Sequence, residues 1–236
     1  MGDLQRKYKT TIDSWLKNNK SVDDPLQIIL KRGLWLCLDN PENGLLLTGI
    51  NPSYDAKYEI VDNTQFCKCS GDYWDRWIDN LQFYISKNRA GYLDLFPLRV
   101  SKQEAEFERF VPRELKAAIL RITQFEIERL QPQLIIHANK ASSFYFGTST
   151  KHPWMGYDLE QVAIPLEIKR KGGVLYEIKG LQNNADRINY SNLNKTNLKY
   201  LFVCPYQNCI HLTIHPEKKM EAEDVDLLCN YLNVKI

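Results

Sequence analysis

Apolar residues along this chain alternate between two spacings, and that alternation predicts the architecture. Residues 3–18 place Tyr8, Ile12, Trp15 and Leu16 on one helical stripe. Leu34–Leu38 is a short apolar run suited to a strand, and Asp39-Asn40-Pro41-Glu42-Asn43-Gly44 after it is a turn signal. Leu45–Thr48 has the continuous character of a strand buried on both faces. The helical period returns over Tyr73–Ile85, with Trp74, Trp77, Ile78, Leu81 and Ile85 on one face. Tyr92–Pro97 predicts a second buried strand. Leu115, Ala118, Ile119 and Ile122 begin an amphipathic helix that ends near Leu130, before Pro132. Leu134–Ile136 predicts a third strand, Lys140–Phe146 a helix start, and Val174–Ile178 a β segment after Gly172-Gly173. Tyr200–Val203 predicts a fourth core strand, and residues 218–232 a last helix with Val225, Leu228, Cys229 and Leu232 inward.

Strands alternating with helices predict an α/β fold, with three layers α/β/α around a central, mainly parallel four-stranded sheet. The texture changes over residues 151–199, which become rich in Asn and Ser toward their end. The expectation is one domain over residues 1–236 with a hairpin or loop excursion at 151–199.

The strand at Leu45–Thr48 runs into Gly49-Ile50-Asn51-Pro52-Ser53-Tyr54. Ligands of open α/β sheets bind in the crevice outside the carboxyl ends of the strands. Gly49 allows a tight exit, and Pro52 fixes its own φ while holding Asn51 extended. Asn51 is then a polar group with both a donor and an acceptor, held at the mouth of a sheet. The same residue types also build an ordinary Asx turn, in which the side chain satisfies its own backbone.

Composition narrows the class. The chain has 236 residues, 44% hydrophobic and 25% charged, in the range of ordinary globular domains. A formal net charge of +2 is too small for a protein that coats nucleic acid through charge alone. The 13 Tyr, 9 Phe and 5 Trp suffice for a core and for stacking on bases. Residues 1–9 have no apolar leader, and no apolar run approaches the ~18 residues of a membrane span. The expectation is a cytoplasmic protein with reduced thiols and no membrane partner. Cys67-x-Cys69 is too tight for a usual zinc knuckle, and Cys37, Cys204, Cys209 and Cys229 complete no zinc or iron–sulfur spacing. No metal and no cofactor are expected.

Gly49-Ile50-Asn51-Pro52 resembles the first motif of the uracil-DNA glycosylase superfamily, in the branch that handles mismatched uracil or thymine. Three further segments follow in that superfamily's order. Gly91-Tyr92-Leu93-Asp94-Leu95-Phe96-Pro97-Leu98-Arg99 is similar to its second core strand and following loop. Leu130–Ile136 with Ala138-Asn139-Lys140-Ala141 is similar to its helix, Pro, strand and Gly-x-x-Ala-like helix start. Tyr200-Leu201-Phe202-Val203-Cys204-Pro205-Tyr206 stands where the superfamily has a strand ending in His-Pro-Ser.

The resemblance implies a DNA N-glycosylase that excises uracil or a related mispaired or damaged base from single-stranded or mismatched DNA, acting as a monomer. It implies Asn51 as the residue that positions the attacking water, and Gly49, Ile50, Pro52, Ser53, Phe66, Asn139, Pro205 and Tyr206 as the base-binding shell. Ser53 stands where the classical branch has a Tyr that blocks the thymine methyl, and Phe66 where a base-stacking aromatic is kept. Cys204 replaces the His that steadies negative charge on the departing base, and a thiol is a poor substitute. Asn139 replaces a Gly. The same fold without that His would instead serve as a nucleic-acid or nucleotide-binding module.

A basic stretch is the candidate phosphate contact. Between residues 165 and 200, Lys169, Arg170, Lys171, Lys179, Arg187, Lys195 and Lys199 face only Glu167, Glu177 and Asp186. Lys169, Arg170 and Lys171 form its densest part. A solvated charged loop is the competing meaning.

Overall fold

The computed structural model describes residues 2–19, 21–37, 40–54, 65–101, 103–149, 154–183, 193–207 and 209–234. Six strands form one mixed sheet: β1 (Leu45–Thr48), β2 (Ala90–Tyr92), β3 (Leu134–His137), β4 (Tyr157–Val162), β5 (Val174–Leu181) and β6 (Tyr200–Val203), in the order β2-β1-β3-β6-β5-β4. The four-stranded sheet expected from the sequence is therefore too small. The four expected core strands are mutually parallel, but β5 pairs antiparallel with β6 and β4 antiparallel with β5. The segment expected as an excursion extends the main sheet, because β6 offers an open edge and unpaired backbone groups there need a partner. Arg187 lies outside the described residues.

The parallel strands bury both faces, so their side chains alternate between two cores. Leu46, Ile135 and Leu201 enter one apolar cluster, whereas Leu45, Leu47, Leu134, Ile136 and Phe202 enter the other. Helices α1 (Asp3–Asn18), α2 (Asp24–Lys31) and α4 (Arg113–Leu130) contribute to the first cluster. On α4 the inward stripe is Leu115, Ile119, Thr123, Ile127 and Leu130. Tyr8 of α1 reaches across to it, its hydroxyl 2.7 Å from Thr123 Oγ1. Helix α3 (Asp72–Ser86) covers the other face through Trp77, Leu81 and Tyr84, beside α7 (Ala222–Tyr231). Short helices α5 (Leu166–Arg170) and α6 (Cys209–Ile214) flank β5 and follow β6.

Three local expectations change. Over the described part of Leu34–Leu38 there are isolated bridge residues, Leu34 paired with Leu98 among them, in place of a strand, and Leu38 lies outside the described residues. The strand expected over Tyr92–Pro97 stops at Tyr92. Beyond it the chain hydrogen-bonds to the β1 exit instead, with Leu93 N donating to Leu47 O, Leu95 N to Gly49 O and Phe96 N to Ile50 O at 2.8–3.0 Å. Lys140–Tyr145 is a 3-10 turn, not an α-helix start.

Candidate functional site

Parallel pairing puts the carboxyl ends of β1, β2, β3 and β6 on one edge, with Thr48 opposite His137 and His137 opposite Val203. Strands lie about 4.8 Å apart, so the exits of β1 and β6 stand roughly 10 Å from each other with β3 between. Asn51, Asp94, Asn139 and Cys204 all lie within a few residues of these ends. The antiparallel β5 begins there too, with Val174 opposite Val203. The turn after α5 therefore brings Lys169, Arg170 and Lys171 to the same edge.

Asn51 divides its amide between two tasks. Its Nδ2 donates to Pro52 O at 3.1 Å, as an Asx-type turn would, while its Oδ1 is buried without a hydrogen-bond partner. Asp94 resembles it. The Tyr92 hydroxyl donates to Oδ1 at 2.6 Å, and Oδ2 is buried with no partner. Burial holds the Asp94 carboxyl up at about 7 from an ordinary value near 3.8, against the opposing pull of the Tyr92 bond. Two free acceptor oxygens thus sit on adjacent loops. Native proteins rarely leave such groups unpaired, and the exceptions concentrate at sites with a ligand or a reaction to serve.

Gly49 makes this arrangement possible. A Cβ there would overlap the Tyr92 hydroxyl and the Asp94 carboxylate. We expect Gly49→Ala to push that pair aside, to lose about 1–3 kcal/mol in chemical denaturation, and to lower any activity of the site with it.

Aromatic rings line the approach. Tyr73 and Trp74 come from the first turn of α3. Trp74 meets Tyr92 edge-on at 4.4 Å and Trp35 at 5.3 Å, and Tyr73 lies 5.5 Å from Tyr206 between ring centroids. The Tyr73 hydroxyl is enclosed near those of Tyr92 and Tyr206, Asp94 and Cys204; Tyr92 is its hydrogen-bonding neighbour, at a separation longer than an ordinary hydrogen bond. Burial, with Tyr206 and Asp94 nearby, keeps that phenol protonated well above its usual range. Its hydrogen meets no acceptor at ordinary hydrogen-bond distance among the described residues. Tyr206 is 41% exposed and presents its ring at the rim.

The remaining expected site residues fall as follows. Ile50, Pro52 and Pro205 are buried supports, and Ser53 is exposed and bridged to Val100. Phe66 is 2% exposed, stacks on Tyr92 at 5.8 Å and packs with Trp74, so it sits behind the Tyr92 ring within the apolar cluster. Asn139 is extended, with φ −156°, and its carbonyl accepts from the Ser142 amide and hydroxyl. No unusual backbone angle is required of it. Cys204 is fully enclosed, and its thiol faces the His137 carbonyl at 3.9 Å. Burial pushes that thiol far above its usual range, so it is neither an anion nor a donor aimed at the crevice. His137 is also spoken for. Its two ring nitrogens are 2.9 Å from Thr48 Oγ1 and Ser142 Oγ, and burial lowers it to about 3, leaving it neutral. Lys171 is paired with Asp224 at the start of α7, whereas Lys169 and Arg170 are exposed. Lys179 points to Glu160 and Glu177.

Asp94, Tyr92, Tyr73 and Trp74 carried no assigned role in the sequence motifs. One signal did mark Asp94: a single carboxylate inside the apolar run Tyr92-Leu93-Asp94-Leu95-Phe96, where charges are seldom buried without cause. Trp74 and Tyr73 were hidden by a helical stripe that equally describes core packing.

Among the described residues, no group of three or more His, Cys, Asp or Glu side chains is placed to hold a metal ion, and no helix is long and apolar enough to cross a membrane. No family model matches the chain, and no curated protein matches it. The fold and the edge that carries the site define an α/β protein with a six-stranded mixed sheet.

Proposed function

We propose that this protein is a DNA glycosylase that hydrolyses the N-glycosidic bond of uracil or a related mispaired or damaged base. The observation that carries the proposal is the pair of buried, unpartnered oxygens, Asn51 Oδ1 and Asp94 Oδ2, beside an aromatic wall at the carboxyl ends of parallel strands. The resemblance of the Gly49–Ser53 loop and of the three later segments supports the same reading.

In this chemistry positive charge grows on the sugar and negative charge on the leaving base, and a water must be held on the sugar side. Asn51 Oδ1 accepts a hydrogen from that water and orients it. An amide cannot take the proton, but a carboxyl poised near 7 can, and Asp94 is that group. The Tyr92 hydroxyl holds the carboxyl in place. Cys204 gives the leaving base no donor, and the enclosed Tyr73 hydroxyl, only weakly engaged by Tyr92, takes that role. Tyr206 stacks on the extruded base or its neighbour, a contact worth about 1–3 kcal/mol. Lys169 and Arg170 sit at the same edge and approach the DNA backbone. Extrusion costs least for mispaired or unpaired bases, so these are the preferred substrates.

Release of free base from uracil-, thymine- and hypoxanthine-containing oligonucleotides, single- and double-stranded, tests the proposal. Release that is faster from mispaired than from paired sites is the expected result, and no release from any of them rejects it. The commitment of the Cys204 thiol to His137 favours one second reading, a binding module of the same fold that holds nucleic acid without cleaving it. Salt-dependent oligonucleotide binding without base release would select it.

A further inference from the structure

Away from Asn51 and Asp94, the protein encloses a positive charge that meets no carboxylate among the described residues. Arg99 is 7% exposed, and its Nη1 is buried without a hydrogen-bond partner. Among the described residues no carboxylate pairs with it. The nearby carboxylate belongs to Arg32: Glu106 accepts from Arg32 Nη1 at 2.6 Å and Nη2 at 3.2 Å, and also from the Ser101 amide at 2.8 Å. Both guanidinium groups lie over the ring of Tyr54, at 4.5 Å for Arg32 and 5.3 Å for Arg99. Tyr54 is fixed in turn by its amide, which donates to Val100 O at 2.9 Å. Two arginines therefore share one ring, and the one carboxylate of the cluster, Glu106, is engaged by Arg32, so among the described residues Arg99 is left without a counter-charge.

A buried charge without a partner is strongly destabilising, and a cation–π contact offsets only part of the penalty. The fork of a guanidinium matches two oxygens of a phosphate, and Arg suits buried sites because it is weakly hydrated. We infer that Arg99, seated on the Tyr54 ring beside the Asn51 loop, is a binding site for a phosphate oxyanion. Tyr54 follows Asn51 by three residues, a reach of at most about 10 Å, so base and phosphate of one strand segment can occupy the two places together. On the glycosylase reading, on which this choice of source rests, the oxyanion is a backbone phosphate of the strand that carries the target base. Lys169 and Arg170 differ from Arg99 in being exposed, so they add attraction without fixing register.

Two probes separate the sources. Inorganic phosphate, compared with chloride at equal ionic strength, should raise the melting temperature of the wild type and leave that of Arg99→Met unchanged. Binding of a labelled single-stranded oligonucleotide should weaken roughly 10–100-fold in Arg99→Met, and the slope of log affinity against log salt should shrink by about 1. Without phosphate, Arg99→Met should melt no lower than the wild type, since it removes an unpaired buried charge. Arg99→Lys keeps the charge without the fork and should respond to phosphate weakly, which guards against a folding defect in the Met variant. Equal stabilisation by phosphate in wild type and Arg99→Met, or none in either, overturns the site. A phosphate response through Arg99 with an unchanged oligonucleotide salt slope overturns the backbone assignment and identifies a free phosphate or mononucleotide. Absence of base release alongside an intact phosphate response rejects the glycosylase reading and supports the anion site.

Discussion

At pH 8 the Asp94→Asn protein is expected to melt higher than the wild type and to release base roughly 10²–10⁴-fold more slowly. The stability gain follows from the direction of the Asp94 shift. Burial holds its folded-state value up at about 7, against 3.8 for the free side chain. The folded protein therefore keeps the proton over a range where the unfolded chain has lost it. The Asp94 contribution to stability is greatest below about pH 4, falls as the pH rises toward 7, and stays low above it. At roughly 1.4 kcal/mol per pH unit the loss is on the order of 4 kcal/mol. Asparagine carries no charge, and its side-chain oxygen can still accept from Tyr92, so the penalty at pH 8 disappears. At pH 4 the two proteins should melt within a few degrees of each other. Melting curves at the two pH values check the first half of the prediction. The rate profile checks the second: wild-type release should rise with pH through about 7 as Asp94 ionises, and the residual activity of Asp94→Asn should not follow that curve. Identical melting at pH 8 together with identical rates would remove Asp94 from the reaction.

Asn51→Ala is expected to slow base release by roughly 10²–10³-fold while changing stability by no more than about 1 kcal/mol. Among the described residues the one side-chain bond lost is Nδ2 to Pro52 O, a local turn contact at 3.1 Å. The functional loss is larger because Oδ1 has no partner among the described residues and so is available to a water or a substrate. The fall should appear in kcat with little change in KM, since the contact is to the attacking water and not to the DNA. Asn51→Asp supplies a second carboxylate near Asp94, and like charges raise each other's values. Its rate profile should shift to higher pH than the wild type's, a displacement that a purely structural role for Asn51 would not produce.

What the sequence determined alone was what short-range periodicity encodes. Helices α1, α3 and α4 announce themselves because one stripe every three to four residues must meet a core. Strands β1, β3 and β6 do so because a continuous apolar run fits only a strand covered on both faces. The Gly49–Pro52 exit is equally local, since its backbone limits follow from Gly and Pro themselves, and it puts Asn51 just beyond the end of β1 at Thr48. Pairing partners are not local. Tyr157–Val162 alternates too weakly in hydrophobicity to declare itself, and only the open edge of β6 and then of β5 makes it β4. The shortening of β2 is of the same kind, because Leu93, Leu95 and Phe96 satisfy their amides against the β1 exit.

The chemistry of the site belongs almost wholly to tertiary structure. Whether a carboxyl titrates near 4 or near 7 depends on how much water the fold removes from it, and Asp94 loses that water to Gly49, Tyr92 and the rings of α3. Cys204 occupies the position the strand motif gives it, yet whether its thiol meets a ligand or a carbonyl is decided by β3 alongside. Arg99 is one of many arginines in the sequence, and that it meets no carboxylate among the described residues, while Glu106 pairs with Arg32 at α2's end, is decided by the fold. Burial and partnership are sums over residues distant in the chain, and no local pattern contains them.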